Sequence, residues 1–150
     1  MRVVIQRVKH AQVSIGGQEH SHIDQGLLVL LGITHDDTPS DAEWLVQKIL
    51  KMRIFDDEAG VMNRSVLDVN GAVMVVSQFT LMAATQKGNR PSYIRAARPE
   101  QAIPLYEYFI ENLNQSLQTP AATGEFGADM QVSLLNDGPV TIIMDTHNKE

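Results

Sequence analysis

Two short apolar runs, Leu27 to Ile33 and Ala72 to Val76, most narrow the folds open to this chain. Neither approaches the roughly 18 residues needed to span a bilayer, so both are expected to be buried strands. Around them, Arg2 to Ile15 alternates with the two-residue period of a half-buried strand, broken near Lys9-His10. Gly16-Gly17 supplies a turn, and two strands in a hairpin are expected there.

Helix signals are fewer. Thr38-Pro39-Ser40-Asp41 combines a capping hydroxyl, proline in the first turn and an early carboxylate, which predicts a helix to about Arg53. Its Ala42, Leu45, Ile49 and Met52 recur at spacings of three and four and form one core-facing stripe. Pro99 opens a second helix with the stripe Ala102, Tyr106, Phe109, Leu113 and Leu117, and Pro104 falls early enough to be tolerated. Asp56 to Gly60 and Val69-Asn70-Gly71 read as turns. Met130 to Leu135 and Val140 to Met144 read as a pair of strands around a tight turn at Asn136-Asp137-Gly138-Pro139. Strands and helices do not alternate as in a doubly wound fold. The prediction is an α/β fold: a compact, barrel-like mixed sheet with two main helices, one domain over residues 1–150.

Composition excludes several chemistries. With no cysteine there is no thiol nucleophile, disulfide or thiolate metal site. His10, His20, His22, His35 and His147 show no metal-ligand spacing, so no metal is expected. No GxGxxG, Walker-type loop or GxSxG elbow is present, and no cofactor is expected. Met1-Arg2-Val3-Val4-Ile5 is not an export signal, so a cytoplasmic location is expected. The net charge of −6 argues against a protein that coats nucleic acid, because that affinity comes from neutralising phosphates. Any RNA contact must be local. Between Met82 and Arg98 lie Lys87, Arg90, Arg95 and Arg98 with no acidic residue among them, four of the chain's 12 Lys and Arg.

Two segments carry candidate chemistry. Ser77-Gln78-Phe79-Thr80-Leu81 stands where a buried strand emerges, and offers two hydroxyls, an amide and backbone N–H groups that can hold a developing oxyanion. From the residues alone it reads first as a strand end with polar caps. Asn136-Asp137-Gly138-Pro139-Val140-Thr141 reads first as a hairpin turn, with proline at the start of a strand.

Taken as a pair and in this order, the two segments resemble the signature motifs of the D-aminoacyl-tRNA deacylases. Met1 to Val8, Lys87-Gly88-Asn89-Arg90-Pro91-Ser92 and Thr123-Gly124-Glu125-Phe126-Gly127-Ala128 resemble that family too, and the likeness runs from Met1 to about Asp145. Tyr93 stands where phenylalanine is expected, and Met82 to Thr85 is variable. The resemblance implies a homodimeric hydrolase of the ester joining an amino acid to the terminal adenosine of tRNA. It implies that the Gly138-Pro139 peptide is cis and enters the partner subunit's active site, although only about 5–6% of X-Pro bonds are cis. A rigid backbone there would reject an L side chain by collision and admit D-amino acids, and glycine with them.

In the same resemblance Arg7, on the strand face of Val3 and Ile5, helps fix the Gly-Pro loop by donating to backbone carbonyls. Ser77, Gln78, Phe79 and Thr80 form the catalytic segment. Thr80 as a nucleophile lacks a nearby histidine or lysine to activate it. Water is preferred as the attacker, with N–H groups around Phe79 and Thr80 on the carbonyl and the RNA 2′-hydroxyl assisting. Lys87 and Arg90 are then expected to meet phosphates of the acceptor stem. Two rivals stay open: a non-catalytic RNA-binding module, and a small-ester hydrolase using Thr80 or Ser77.

Overall fold

β1 (Arg2–Ile15) organises the sheet, because both of its edges are paired along most of its length. The computed structural model describes residues 1–150. Gly16-Gly17 turns the chain into β2 (Gln18–Ile23), which pairs antiparallel with the second half of β1, as the hairpin expectation has it. β3 (Gly26–Gly32) pairs antiparallel with the first half, Val3 opposite Leu31.

After α1 (Pro39–Lys51), a small ribbon of β4 (Phe55–Asp56) and β5 (Met62–Arg64) encloses the acidic turn. β6 (Ala72–Ser77) then runs parallel to β3, Leu31 opposite Ser77. α2 (Pro99–Asn114) precedes β7 (Ala122–Thr123), a short parallel partner of β6 with too few residues to show a period. β8 (Gln131–Asp145) lies antiparallel along the free edge of β1. Parallel and antiparallel pairs thus share one nearly closed sheet in a single domain with two helices. Neither helix is long and apolar enough to cross a membrane.

The sheet separates two apolar clusters. Leu27, Val29 and Leu31 of β3, with Val3 and Ile5 of β1 and Val73 and Val75 of β6, pack under α1 and α2. Leu28, Met74 and Val76 face the other way, into the barrel, with Val8, Ala11 and Val13. Val8 faces away from Val3 and Ile5 by ordinary alternation. Val8 and Ala11 share a face only because β1 crosses over between them, where its pairing with β8 shifts register between Val8 and His10. The break seen near Lys9-His10 is this crossover. α1 is capped by Asp41, which accepts from the Thr38 N–H at 2.8 Å and its hydroxyl at 2.9 Å. The helix stops at Lys51, slightly before the expected Arg53.

One expectation is overturned. Met130 to Leu135 and Val140 to Met144 are not two strands around a tight turn. Gln131 to Asn136 pair with Ser14 to Val8, and Thr141 to Asp145 pair with Gln6 to Arg2, so the chain never reverses. Asn136 to Pro139 bulges from one continuous strand. Asn, Asp, Gly and Pro suit bulges as well as turns, and alternation on both flanks looks the same in either case.

Candidate active site

The last pair of the parallel ladder sets the first half of the site. β6 ends opposite Leu31, whose carbonyl still accepts from the Gln78 N–H at 2.8 Å, and the chain then coils into a 3-10 turn, Phe79–Met82. Gly32 makes that packing possible: a Cβ there would stand 3.0 Å from Leu81 Cβ and 3.1 Å from the Gln78 carbonyl oxygen. As the opening residues of a helical turn, Phe79 and Thr80 have N–H groups without an acceptor inside it. The Gln78 amide donates to Thr80 Oγ1 at 2.5 Å, so the hydroxyl's partner is an amide and not a base.

Ser77, Gln78 and Phe79 border a cavity of about 310 Å³, closed by Ala102 of α2, Phe126 and Val132. Behind it the Tyr106 hydroxyl donates to the Val75 carbonyl at 2.9 Å, fixing α2 on β6. Burial pushes that phenol up to about 12, which keeps it a neutral donor. The Phe79 ring is 56% exposed and meets Tyr93 edge-on, with centroids 5.1 Å apart.

The second half of the site is braced differently. The Gly138-Pro139 peptide is cis, with Gly138 at φ +125°. A Cβ at Gly138 would fall 2.8 Å from Val140 Cγ2 and 3.0 Å from Arg7 Nη2. Arg7, 7% exposed, donates from Nε to the Asp137 carbonyl at 3.1 Å and from Nη1 to the Ile54 carbonyl at 2.6 Å. The Asn136 amide donates to the carbonyls of Arg7 and Val140, both at 3.0 Å, and so spans the bulge. Gly138 and Pro139 themselves remain exposed.

Within one chain neither Gly138 nor Pro139 lines the cavity beside Ser77, Gln78 and Phe79. Gly138 lies six positions beyond Val132, the last β8 residue on the cavity. That is about 20 Å along an extended strand. Towards the other end of β8, Ile143 lines a second cavity with Leu81 and pairs with Val4, three β1 positions, or about 10 Å, from Arg7 opposite the bulge.

Lys87 and Arg90 sit on an exposed loop whose base is pinned by reciprocal bonds between Ala84 and Ser92, at 2.8 and 2.9 Å. Neither they nor Arg95 and Arg98 form an ion pair, whereas Arg2, Arg7 and Arg64 all do. Sequence inspection passed over Arg2. Its Nη1 donates to the Leu81 carbonyl at 2.8 Å, and its Nε to Asp145 at 2.9 Å. Burial would raise the Asp145 carboxyl, but bonds from the His147 N–H and Arg2 outweigh it and hold the group below its usual range. No periodicity marks such a contact. Asp37, Asp41 and His147 offer ligand atoms within 4.8 Å of one another. Asp37 already accepts from the Met1 amino group, the Thr34 N–H and His147, so these oxygens act as a latch on the first residue.

Comparison with known proteins gives the family. Residues 4–145 match the family described as D-Tyr-tRNA(Tyr) deacylase. A protein of Parabacteroides distasonis named D-aminoacyl-tRNA deacylase is 61% identical over 150 residues, all of both chains. A solved structure titled c-Myc DNA Unwinding Element Binding Protein is 43% identical with a TM-score of 0.92, covering 97% of this chain and 99% of that one. A probable eukaryotic D-amino acid tRNA deacylase shares the fold at 15% identity, with a TM-score of 0.80 over 95% of this chain and 97% of its own. On the full-length identity and the family match together, the chain belongs to the D-aminoacyl-tRNA deacylases, hydrolases that act on aminoacyl-tRNA.

Proposed function

We propose that this chain cleaves D-aminoacyl-tRNA and glycyl-tRNA in trans, and spares L-aminoacyl-tRNA because Gly138 and Pro139 of a second copy stand where an L side chain would project. One observation carries this reading. The Phe79–Met82 turn has free donors beside a cavity, while the braced Gly-Pro bulge is exposed and does not line that cavity in its own chain. A two-fold dimer would give each turn the other subunit's bulge. The chain acts in the cytoplasm.

Water attacks the ester carbonyl carbon, and the N–H groups of Phe79 and Thr80 hold the oxygen as it gains charge. The tetrahedral adduct then expels the ribose oxygen, which leaves with a proton, and the vicinal 2′-hydroxyl assists that transfer. The products are the free amino acid and tRNA. Thr80, bonded to Gln78, positions the turn and does not attack. No cofactor enters this scheme. Lys87 and Arg90, unpaired on their loop, meet acceptor-stem phosphates. Such a small basic patch suits local RNA contact on a chain of net charge −6.

The test is hydrolysis of matched D-tyrosyl-, L-tyrosyl- and glycyl-tRNA by the purified protein. Loss of the D and glycyl esters with the L ester intact is expected. Glycyl-tRNA surviving an enzyme that cleaves D-tyrosyl-tRNA would refute selection by exclusion. No hydrolysis of any ester would leave the RNA-binding module as the reading.

A further inference from the structure

We infer that Arg2 is a positioning residue for hydrolysis, holding the exit of the Phe79–Met82 turn so that the Phe79 and Thr80 N–H groups keep their aim. This rests on the hydrolytic reading of the turn given above. The turn enters rigidly, because the Gln78 N–H is bound to the Leu31 carbonyl at 2.8 Å inside the sheet. Its exit is different. The last carbonyls of any helical turn lack partners within it, and here the Leu81 carbonyl is met by Arg2 Nη1 at 2.8 Å.

The rest of the guanidinium is held by a neighbour on the sheet. Arg2 and Asp145 are register partners across β1 and β8, and Asp145 Oδ2 accepts from Nε at 2.9 Å and lies 2.8 Å from Nη2. A planar fork with fixed donor directions can serve a carboxylate and a carbonyl at once; an ammonium on a flexible stem cannot hold the same geometry. Arg2 thus ties the turn to the β1–β8 pair. The side chain is one-third exposed and the carboxylate 16%, so the link is partly shielded from water. An oxyanion donor must stand within hydrogen-bond reach of the reacting oxygen, and a displacement of about 1 Å can cost on the order of a hundredfold in rate.

The experiment is steady-state hydrolysis of D-tyrosyl-tRNA by wild type, Arg2→Lys, Arg2→Met, Asp145→Asn and the Arg2→Met/Asp145→Asn double variant. Thermal unfolding confirms that each is folded at the assay temperature. Positioning predicts that kcat falls by roughly ten- to a hundredfold in Arg2→Met while KM stays within about twofold, because substrate binding does not use this contact. Arg2→Lys should lose less, and the double variant no more than Arg2→Met, since both changes break one link. If Arg2→Met does not fold, Arg2→Lys decides by the same split of kcat from KM. A folded variant with wild-type kcat overturns the inference, as does a loss confined to KM. A wild type that hydrolyses nothing would overturn the reading of the turn, and with it this inference; an active wild type with indifferent variants overturns this inference alone.

Discussion

The Phe79–Met82 turn follows the end of a strand and the Asn136–Pro139 bulge interrupts one, and they are held in opposite ways. The bulge is over-determined: Arg7 binds one carbonyl at its base, Asn136 spans it with two bonds, and Gly138 adopts a φ of +125°. The turn is fixed at its two ends and keeps free donors in between. A segment of the first kind can obstruct, because it cannot yield. One of the second kind can receive a ligand, because its polar groups are uncommitted. On the proposed reading, obstruction and reception are the two halves of a chiral filter.

Substitutions should therefore separate rigidity from chemistry. Arg7→Ala should have the largest effect, since it leaves the Ile54 and Asp137 carbonyls without a buried donor and frees the bulge. The role that the family resemblance gives Arg7 puts the loss in activity or chiral discrimination. The burial of Arg7 adds a stability cost of about 3 kcal/mol, readable in urea unfolding, together with faster cleavage of L-tyrosyl-tRNA. An unchanged ratio of D to L cleavage would break the contrast drawn above.

Gly138→Ala comes next. The added Cβ meets Val140 and Arg7 in a backbone region hostile to L residues, at a cost of about 2 kcal/mol, with the same loss of discrimination. Wild-type stability would mean that the bulge is not rigid. Reversing charge at Lys87 and Arg90 should leave unfolding alone but weaken tRNA binding about tenfold, and flatten the plot of log affinity against log salt by roughly one to two. A parallel plot would remove the phosphate role. Thr80→Ala should change least, keeping kcat within about fivefold, because its hydroxyl only answers Gln78. Complete loss, with a trapped acyl-enzyme in the parent protein, would make Thr80 the nucleophile.

Much of this architecture was legible in the residues. Alternation in Arg2 to Ile15, the continuous apolar runs of β3 and β6, and the Thr38–Asp41 cap gave the sheet and first helix, because each pattern reports burial or capping locally. The site was legible differently. Both motifs stood out by resemblance, but spacing could not say whether Asn136 to Pro139 reverses the chain or bulges from it, since turn chemistry serves both. Arg2 was invisible because its partners, Leu81 and Asp145, are distant in sequence and belong to no pattern.

The central claim is that each turn is completed by the bulge of another subunit, and a chain without cysteine allows it to be tested directly. Chains carrying Phe79→Cys and Asp137→Cys would be mixed, allowed to exchange subunits, and treated with a short bifunctional thiol reagent. The account predicts a covalent dimer from the mixture and none from either variant alone. A monomer by sedimentation, or a dimer in which the mixture gives no product, would contradict it.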